Sequence, residues 1–115
     1  MSSITAYKFG TIEIDGKPYT GDVIILPGRI ITSWWRKEGH NLQIEDLDEV
    51  IKDKPEMLVI GQGAFGVMKI SDEVPGFLKK NGIEMVHSNS EYACRIFNEY
   101  QAAGKRVAGA FHLTC

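Results

Sequence analysis

A short apolar run that ends in closely spaced glycines constrains this chain more than any other feature. Met57–Ile60 is uninterrupted apolar sequence, and Gly61, Gly63 and Gly66 follow it at the G-x-G-x-x-G spacing. An apolar run of this length is typical of a strand buried on both faces, as in parallel sheets covered by helices. The segment therefore predicts an α/β arrangement, and its glycines raise the question of a phosphate-binding loop.

Helices and strands alternate along the second part of the chain. Helical spacing of apolar residues begins near residue 43 and ends at Pro55, a second helix runs from Ser71 to Lys80, and Ser88 begins a third that ends at Gly104. Strands are predicted at 57–60, 83–86 and 106–111, with a further strand-like segment at 67–70. This order predicts a sheet with parallel strand pairs covered by helices.

The first part of the chain is rich in strands. Residues 6–9 and 11–14 alternate apolar and polar side chains, and two longer strands are expected at 19–26 and 29–34, with turns at 15–16 and 27–28. Together they predict an antiparallel β meander. The pattern leaves open whether the meander extends the main sheet or packs as a separate layer.

Length and composition predict one domain spanning residues 1–115. The chain is 43% hydrophobic with a formal net charge of −2, which excludes a disordered chain and gives no basic face for nucleic acid. No apolar run is long enough for a membrane helix and no signal peptide is recognisable, so we expect a soluble cytoplasmic protein. Cys94 and Cys115 form no C-x-x-C pair, so a disulfide scaffold and a zinc site are not expected.

The glycine loop departs from nucleotide-binding loops in two ways. The residues after Gly66 alternate like a strand rather than opening a helix, and the next strand ends at Val86–Ser88 without the acidic residue that binds a ribose. No lysine followed by serine or threonine is present, as a Walker loop requires. We expect no NAD or ATP binding and no cofactor. The glycines serve either a tight turn or a small-ligand site that includes Gln62.

Histidines supply the side chains that titrate near neutral pH. His87 and His112 each follow a strand, where open α/β sheets bind ligands, and His40 lies in a polar loop. None is spaced i, i+4 from another, so no metal site is predicted. We predict that the strand ends meet and form a candidate ligand pocket, and His112 with Cys115 suggests nucleophilic chemistry without an identifiable orienting residue. The pocket residues are Gly61, Gln62, Gly63, Gly66, His87, His112 and Cys115.

Two adjacent tryptophans form the second candidate surface. On a strand the rings of Trp34 and Trp35 point to opposite faces, so one ring is expected in the core and the other is free to contact a partner. Packing of both rings beneath the following loop is the alternative. The candidate partner-binding residues are Trp34, Trp35, Arg36 and His40.

Several segments together resemble a known family. They include Val59–Gly63, Phe77–Glu84, Glu91–Asn98 and, most specifically, Gly104–Cys115. The chain resembles a family of small uncharacterised domains that includes the adipogenesis-associated domain-containing protein and a mitochondrial complex I assembly factor. The resemblance implies a three-layer α/β fold with a central mixed sheet, flanking helices and no established catalytic activity.

These observations predict a non-enzymatic module that binds a protein partner or a small ligand, in an assembly or regulatory role. The alternative is a small enzyme whose pocket is formed by the Gly61–Gly66 loop, His87 and the His112–Cys115 end. An open pocket where these segments meet favours the enzyme, and a filled junction favours the binding module. The identity of the partner and self-association of the chain are left open.

Overall fold

The computed structural model describes residues 2–115, and short strands dominate the first half of the chain. In chain order the elements are β1 (Ile4–Lys8), β2 (Thr11–Ile14), β3 (Lys17–Tyr19), β4 (Val23–Leu26), β5 (Arg29–Ile31), β6 (Asn41–Leu42), a 3₁₀ helix (Ile44–Leu47), α1 (Asp48–Asp53), β7 (Met57–Gln62), β8 (Lys69–Ile70), α2 (Glu73–Lys80), β9 (Glu84–Ser88), α3 (Ser90–Ala102) and β10 (Val107–His112).

A five-stranded mixed sheet forms the centre of the fold, in the order β5-β4-β10-β7-β9. Strand β10 runs parallel to β7, and β7 runs parallel to β9, while β4 and β5 are antiparallel additions on the other side. The predicted run from Met57 is a central strand buried on both faces. The predicted α/β class with a central mixed sheet is confirmed.

Each face of the central sheet has its own core. One face packs against α3 and the separate antiparallel sheet β1-β2-β3, around Phe97 and Phe111. The other face packs against α1, α2 and Trp34, around Leu58 and Ile60. These layers place the carboxyl ends of β7, β9 and β10 along one edge. Among residues 2–115 there is no helix whose length and apolar character would let it cross a membrane.

The prediction of one strand over residues 19–26 is wrong. The chain leaves the small sheet after Tyr19 and enters the central sheet at Val23, and the three residues between change its direction. The meander is therefore divided, with β1–β3 in a separate layer and β4–β5 extending the central sheet. Asp22 lies at this transition, next to the end of β10.

Helix boundaries differ from the predicted ones in their details. Asn89, rather than Ser88, caps α3, because its side chain accepts a hydrogen bond from the Tyr92 amide at 2.9 Å. Helix α1 ends at Asp53, and the next residue, Lys54, adopts a left-handed conformation directly before Pro55. Gly82 has the positive φ of the predicted left-handed helix end.

Candidate functional site

The carboxyl ends of the three parallel strands meet as predicted. In the sheet register Gly61 lies opposite Phe111, and Ile60 lies opposite His87. Because His112 lies opposite Gln62, the strand ends bring the glycine loop, His87 and His112 to one edge of the sheet. A hydrogen bond of 2.8 Å joins His87 Nδ1 to Gln62 Oε1.

The junction between the glycine loop and the end of the chain is filled by protein atoms. A Cβ on Gly61 would lie 2.7 Å from both Phe111 Cδ1 and Ser90 Oγ. Gly63 has a φ of +97°, and a Cβ there would clash with the Thr114 carbonyl oxygen and lie 2.9 Å from the Cys115 carbonyl carbon. A side chain at either position would meet protein atoms, so the segments pack directly against each other at Gly61 and Gly63. The two glycines allow this close backbone contact.

Past Gly66 the chain forms β8 rather than a helix, as the alternating residues predict. Gly66 itself has a φ of +69° and no protein atoms near the position of a Cβ. It borders a groove that also contains His87 and is separate from the filled junction. The groove is lined by Gln62, Gly66, Val67, Met68, Lys69, Ile70, Ser71, Asp72, Pro75, Met85 and His87.

Ser90 joins the segments at the filled junction. Its buried hydroxyl donates a 2.5 Å hydrogen bond to the His112 carbonyl and accepts one of 2.9 Å from the Gly63 amide. The Ser90 amide also donates to the Gly63 carbonyl at 2.9 Å. Since each group would otherwise be buried without a partner, this serine is structural.

The last residues of the chain are held by backbone and side-chain contacts, as predicted for an ordered end. The Leu113 carbonyl accepts hydrogen bonds from the Gly10 amide and the Tyr7 hydroxyl, both at 2.9 Å. The Val67 amide donates to the Cys115 carbonyl at 3.2 Å. Cys115 itself is half-buried rather than enclosed in the core.

A charged network surrounds His112, whose side chain is 7% exposed. Asp22 Oδ2 lies 2.8 Å from His112 Nδ1 and 2.9 Å from a terminal guanidinium nitrogen of Arg36, which is also buried. The same guanidinium nitrogen also lies 2.9 Å from His112 Nδ1, so this ring nitrogen contacts both an acceptor, the Asp22 carboxylate, and a donor, the Arg36 guanidinium. Within residues 2–115 no partner reaches the other ring nitrogen, Nε2.

The network sets the charge of Asp22. Burial would raise the pKa of this carboxyl, but hydrogen bonds from His112 and the Leu113 amide and the nearby positive charge of Arg36 together lower its pKa below the ordinary value. Asp22 is therefore a carboxylate near neutral pH. It fixes the His112 ring and ties the start of β4 to the end of β10.

His40 lies with the end of the chain rather than with the tryptophans. His40 Nε2 is 3.2 Å from Cys115 Sγ, and the His40 and His112 rings meet edge to face with centroids 5.8 Å apart. One nitrogen of each ring and the sulfur all lie within 4.8 Å of one another. This is a compact group of nitrogen and sulfur donors that spacing along the sequence did not predict.

One tryptophan is buried and the other exposed, but the predicted strand over residues 29–34 is wrong, because β5 ends at Ile31 before either tryptophan is reached. Trp34 is buried, donates its indole N–H to the Asp46 carbonyl at 3.1 Å, and is covered by the Arg36 guanidinium 4.7 Å from its ring. Trp35 is 79% exposed and lines a groove with an apolar floor and an acidic side. Because Trp34 and Arg36 are buried, the predicted partner surface is reduced to Trp35 and this groove. The groove is lined by Ile24, Ile31, Trp34, Trp35, Lys37, Glu45, Asp46, Asp48 and Glu49.

Comparison with known proteins identifies the family. The profile of the family described as protein of unknown function (DUF498/DUF598) matches residues 4–112. The chain belongs to the DUF498 family. The fold is shared with MT938, at 25% identity over the whole of both chains and a TM-score of 0.83. It is also shared with the conserved hypothetical protein PH1505 from Pyrococcus horikoshii OT3, at 25% identity, 98% and 99% coverage and a TM-score of 0.81.

A further DUF498-like fold occurs in a protein from Bartonella henselae that is described as an outer membrane protein. It is 24% identical to this chain, with 99% and 96% coverage and a TM-score of 0.84. At this identity the likeness shows the fold alone, and the cellular location belongs to that protein. The family description names no activity, so the function of this DUF498 chain has to be inferred from its own residues.

Proposed function

We propose that this DUF498 domain is a non-enzymatic protein-binding module, and that the Trp35 groove receives a basic amphipathic helix of its partner. The observation that carries the proposal is a tryptophan, 79% exposed, beside an apolar groove with carboxylates along one side. Exposed tryptophans in such settings are the residues that most often dominate binding energy at interfaces. Amphipathic helices bind grooves of this kind through their apolar face.

The charges around the groove specify the partner. Glu45 and Asp48 are exposed, and within residues 2–115 neither forms an ion pair, whereas Glu49 is paired with Arg29 at 3.2 Å. Lys37 is the cation on the lining. The excess of carboxylates favours lysine or arginine beside the apolar residues of the partner, and it disfavours phosphate-rich nucleic acid or an anionic membrane.

Two further arguments support binding over catalysis. The enzyme alternative requires an open pocket where the glycine loop meets the end of the chain. Protein atoms fill this junction at Gly61 and Gly63. The resemblance to the adipogenesis-associated domain-containing protein and to a complex I assembly factor also suggests an assembly or regulatory role rather than turnover. The proposal also includes a cytoplasmic location, which rests on the sequence alone.

The test uses two helical peptides that differ only in charge. A fluorescent peptide of leucine and lysine, with its leucines on one face, is titrated with the protein, and its twin carries glutamate in place of lysine. We expect the lysine peptide to bind, with an affinity that falls as salt is added, and the glutamate peptide to bind far more weakly. Equal binding of both peptides, or no binding of the lysine peptide, contradicts the proposal.

Matched variants locate the binding surface. Trp35→Ala is expected to weaken peptide binding by at least about 2 kcal/mol, which corresponds to about thirtyfold in affinity. Phe65→Ala is the control, because Phe65 is 77% exposed and is not part of the groove lining. The double variant Glu45→Gln, Asp48→Asn is expected to reduce the salt dependence. Loss of binding in Phe65→Ala but not in Trp35→Ala contradicts the assignment of the groove.

A further inference from the structure

We propose that His40, His112 and Cys115 form a zinc site at the carboxyl edge of the central sheet. The site is separate from the Trp35 groove, and the inference does not depend on the proposed peptide binding. The donor atoms come from the loop before β6, from the last residue of β10 and from the segment that follows it. No two of the histidines are close in sequence, so only the fold brings these donors together.

Donor geometry is the first argument. Zinc bonds of about 2.0–2.1 Å to nitrogen and 2.3 Å to sulfur place tetrahedral ligands about 3.3–3.6 Å apart. His40 Nε2 and Cys115 Sγ are 3.2 Å apart, and one nitrogen of His112 lies within 4.8 Å of both donor atoms. His40 is exposed and Cys115 is half-buried, so these two side chains have more freedom to turn toward an ion than the buried His112.

The surroundings of His112 provide a second, independent argument. Its Nδ1 lies 2.8 Å from the Asp22 carboxylate and 2.9 Å from the Arg36 guanidinium, and when Nδ1 donates to Asp22 the free lone pair of the ring is on Nε2. Nε2 is buried and has no hydrogen-bond partner among the described residues. A polar atom in a side chain that is only 7% exposed normally has such a partner. A histidine held by a carboxylate through one nitrogen, with the other nitrogen available, is the usual arrangement of a zinc ligand.

The backbone around the other two donors is already fixed. The His40 carbonyl accepts a hydrogen bond from the Lys69 amide at 2.8 Å, and the Cys115 carbonyl accepts one from the Val67 amide at 3.2 Å. Both ligands are therefore held by the segment that follows the glycine loop. The close approach at Gly63 positions Cys115 further, since there is no space for the chain end to move toward that residue.

The donor set selects the ion. Two imidazoles and a thiolate suit zinc, whereas calcium and magnesium prefer oxygen ligands. On binding, the Cys115 thiol releases its proton to solvent and the thiolate sulfur bonds the metal. Three protein ligands leave one tetrahedral position for a water molecule or for a group from a bound partner.

The experiment is a calorimetric titration of the chelator-treated full chain with zinc chloride, followed by native mass spectrometry. We expect one zinc per chain. His40→Gln is expected to reduce the affinity at least about 100-fold, since loss of even an outer-shell partner costs 10–100-fold. His87→Gln is the matched control, because His87 is also an exposed histidine at this edge but lies outside the donor group. It is expected to bind zinc like the wild type.

A spectroscopic readout tests the sulfur ligand separately. Cobalt in place of zinc is expected to show a thiolate-to-metal charge-transfer band that Cys115→Ser abolishes. Circular dichroism and thermal melts of every variant check folding, and zinc is expected to raise the melting temperature of the wild type but not of His40→Gln.

Absence of zinc binding, binding that survives both His40→Gln and Cys115→Ser, or binding that requires His87 overturns the proposal. Peptide binding by His40→Gln should be unchanged, so the two proposals fail independently.

Discussion

Three glycines of one loop allow backbone strain and close packing to be measured separately. Gly63→Ala introduces a methyl group at a φ of +97° that also clashes with the Thr114 carbonyl. Gly66→Ala introduces the same group at a φ of +69° with no protein atom within 4 Å. Gly61→Ala creates close contacts at 2.7 Å, with the Phe111 and Ser90 side chains, at a position without positive φ.

The expected magnitudes follow from these environments. A non-glycine residue in the left-handed region costs about 1–2 kcal/mol, and overpacking of a filled site costs about 1–3 kcal/mol. Gly66→Ala should therefore lower the free energy of unfolding by about 1–2 kcal/mol. Gly61→Ala should lower it by about 1–3 kcal/mol. Gly63→Ala combines both effects, for about 2–5 kcal/mol, because the opposing atoms are backbone and shift little.

The assay is urea unfolding followed by circular dichroism and tryptophan fluorescence, with linear extrapolation of the free energy. A change in midpoint at constant slope reports stability alone. Gly63→Ala should be clearly the least stable of the three variants. If Gly63→Ala and Gly66→Ala lose the same stability, the close approach of the chain end to Gly63 does not exist and the filled junction is wrong. If Gly63→Ala loses none, the glycine is available for a ligand.

Three further predictions concern buried polar and titratable groups. The pKa of Asp22 is lower in the folded chain than in the unfolded chain, where it is about 4. The carboxylate therefore stabilises the fold above about pH 4, and this stabilisation is lost as the pH falls further. With a chelator present, the urea midpoint of Asp22→Asn should fall less on acidification than the midpoint of the wild type. Burial, with the charge of Glu91, raises the pKa of Cys94 to about 12. A thiol reagent should therefore label the native Cys115→Ser variant, in which Cys94 is left, far more slowly than the native Cys94→Ser variant, in which Cys115 is left. Equal labelling rates would refute burial of Cys94. Ser90→Ala leaves a buried amide and a buried carbonyl without their hydrogen bonds and should cost about 2–4 kcal/mol in urea unfolding; a loss below 1 kcal/mol would contradict its joining role.

The parallel half of the fold could be predicted because its signals are local. Met57–Ile60 is apolar throughout, as a strand covered on both faces requires, and the apolar spacing of 93–100 marks the buried side of α3. Strands joined by helices run parallel in the sheet, so the carboxyl ends of β7, β9 and β10 lie at one edge. This rule predicts that Gly61 and His112 are neighbours.

The site network could not be predicted because its members are joined only by tertiary contacts. Asp22 lies where the chain passes between two sheets, a change of direction at residues 20–22 that the prediction of one strand over 19–26 does not include. Its partner His112 is 90 residues away, and the contact requires the antiparallel pairing of β4 with β10. Ser90 gave no signal other than its place near a helix start. His40 and Cys115 meet through loops that carry no periodic pattern.

The central claim, that the Trp35 groove binds a basic amphipathic helix, is tested most directly by nuclear magnetic resonance. Amide and indole shifts of the ¹⁵N-labelled protein are followed as the leucine–lysine peptide is added. We predict that the exposed Trp35 indole and the amides of Lys37 and Glu45–Glu49 shift together and saturate with the peptide. Shifts centred on the exposed pair Phe9 and Phe65, or no saturable shift at Trp35, would contradict the account.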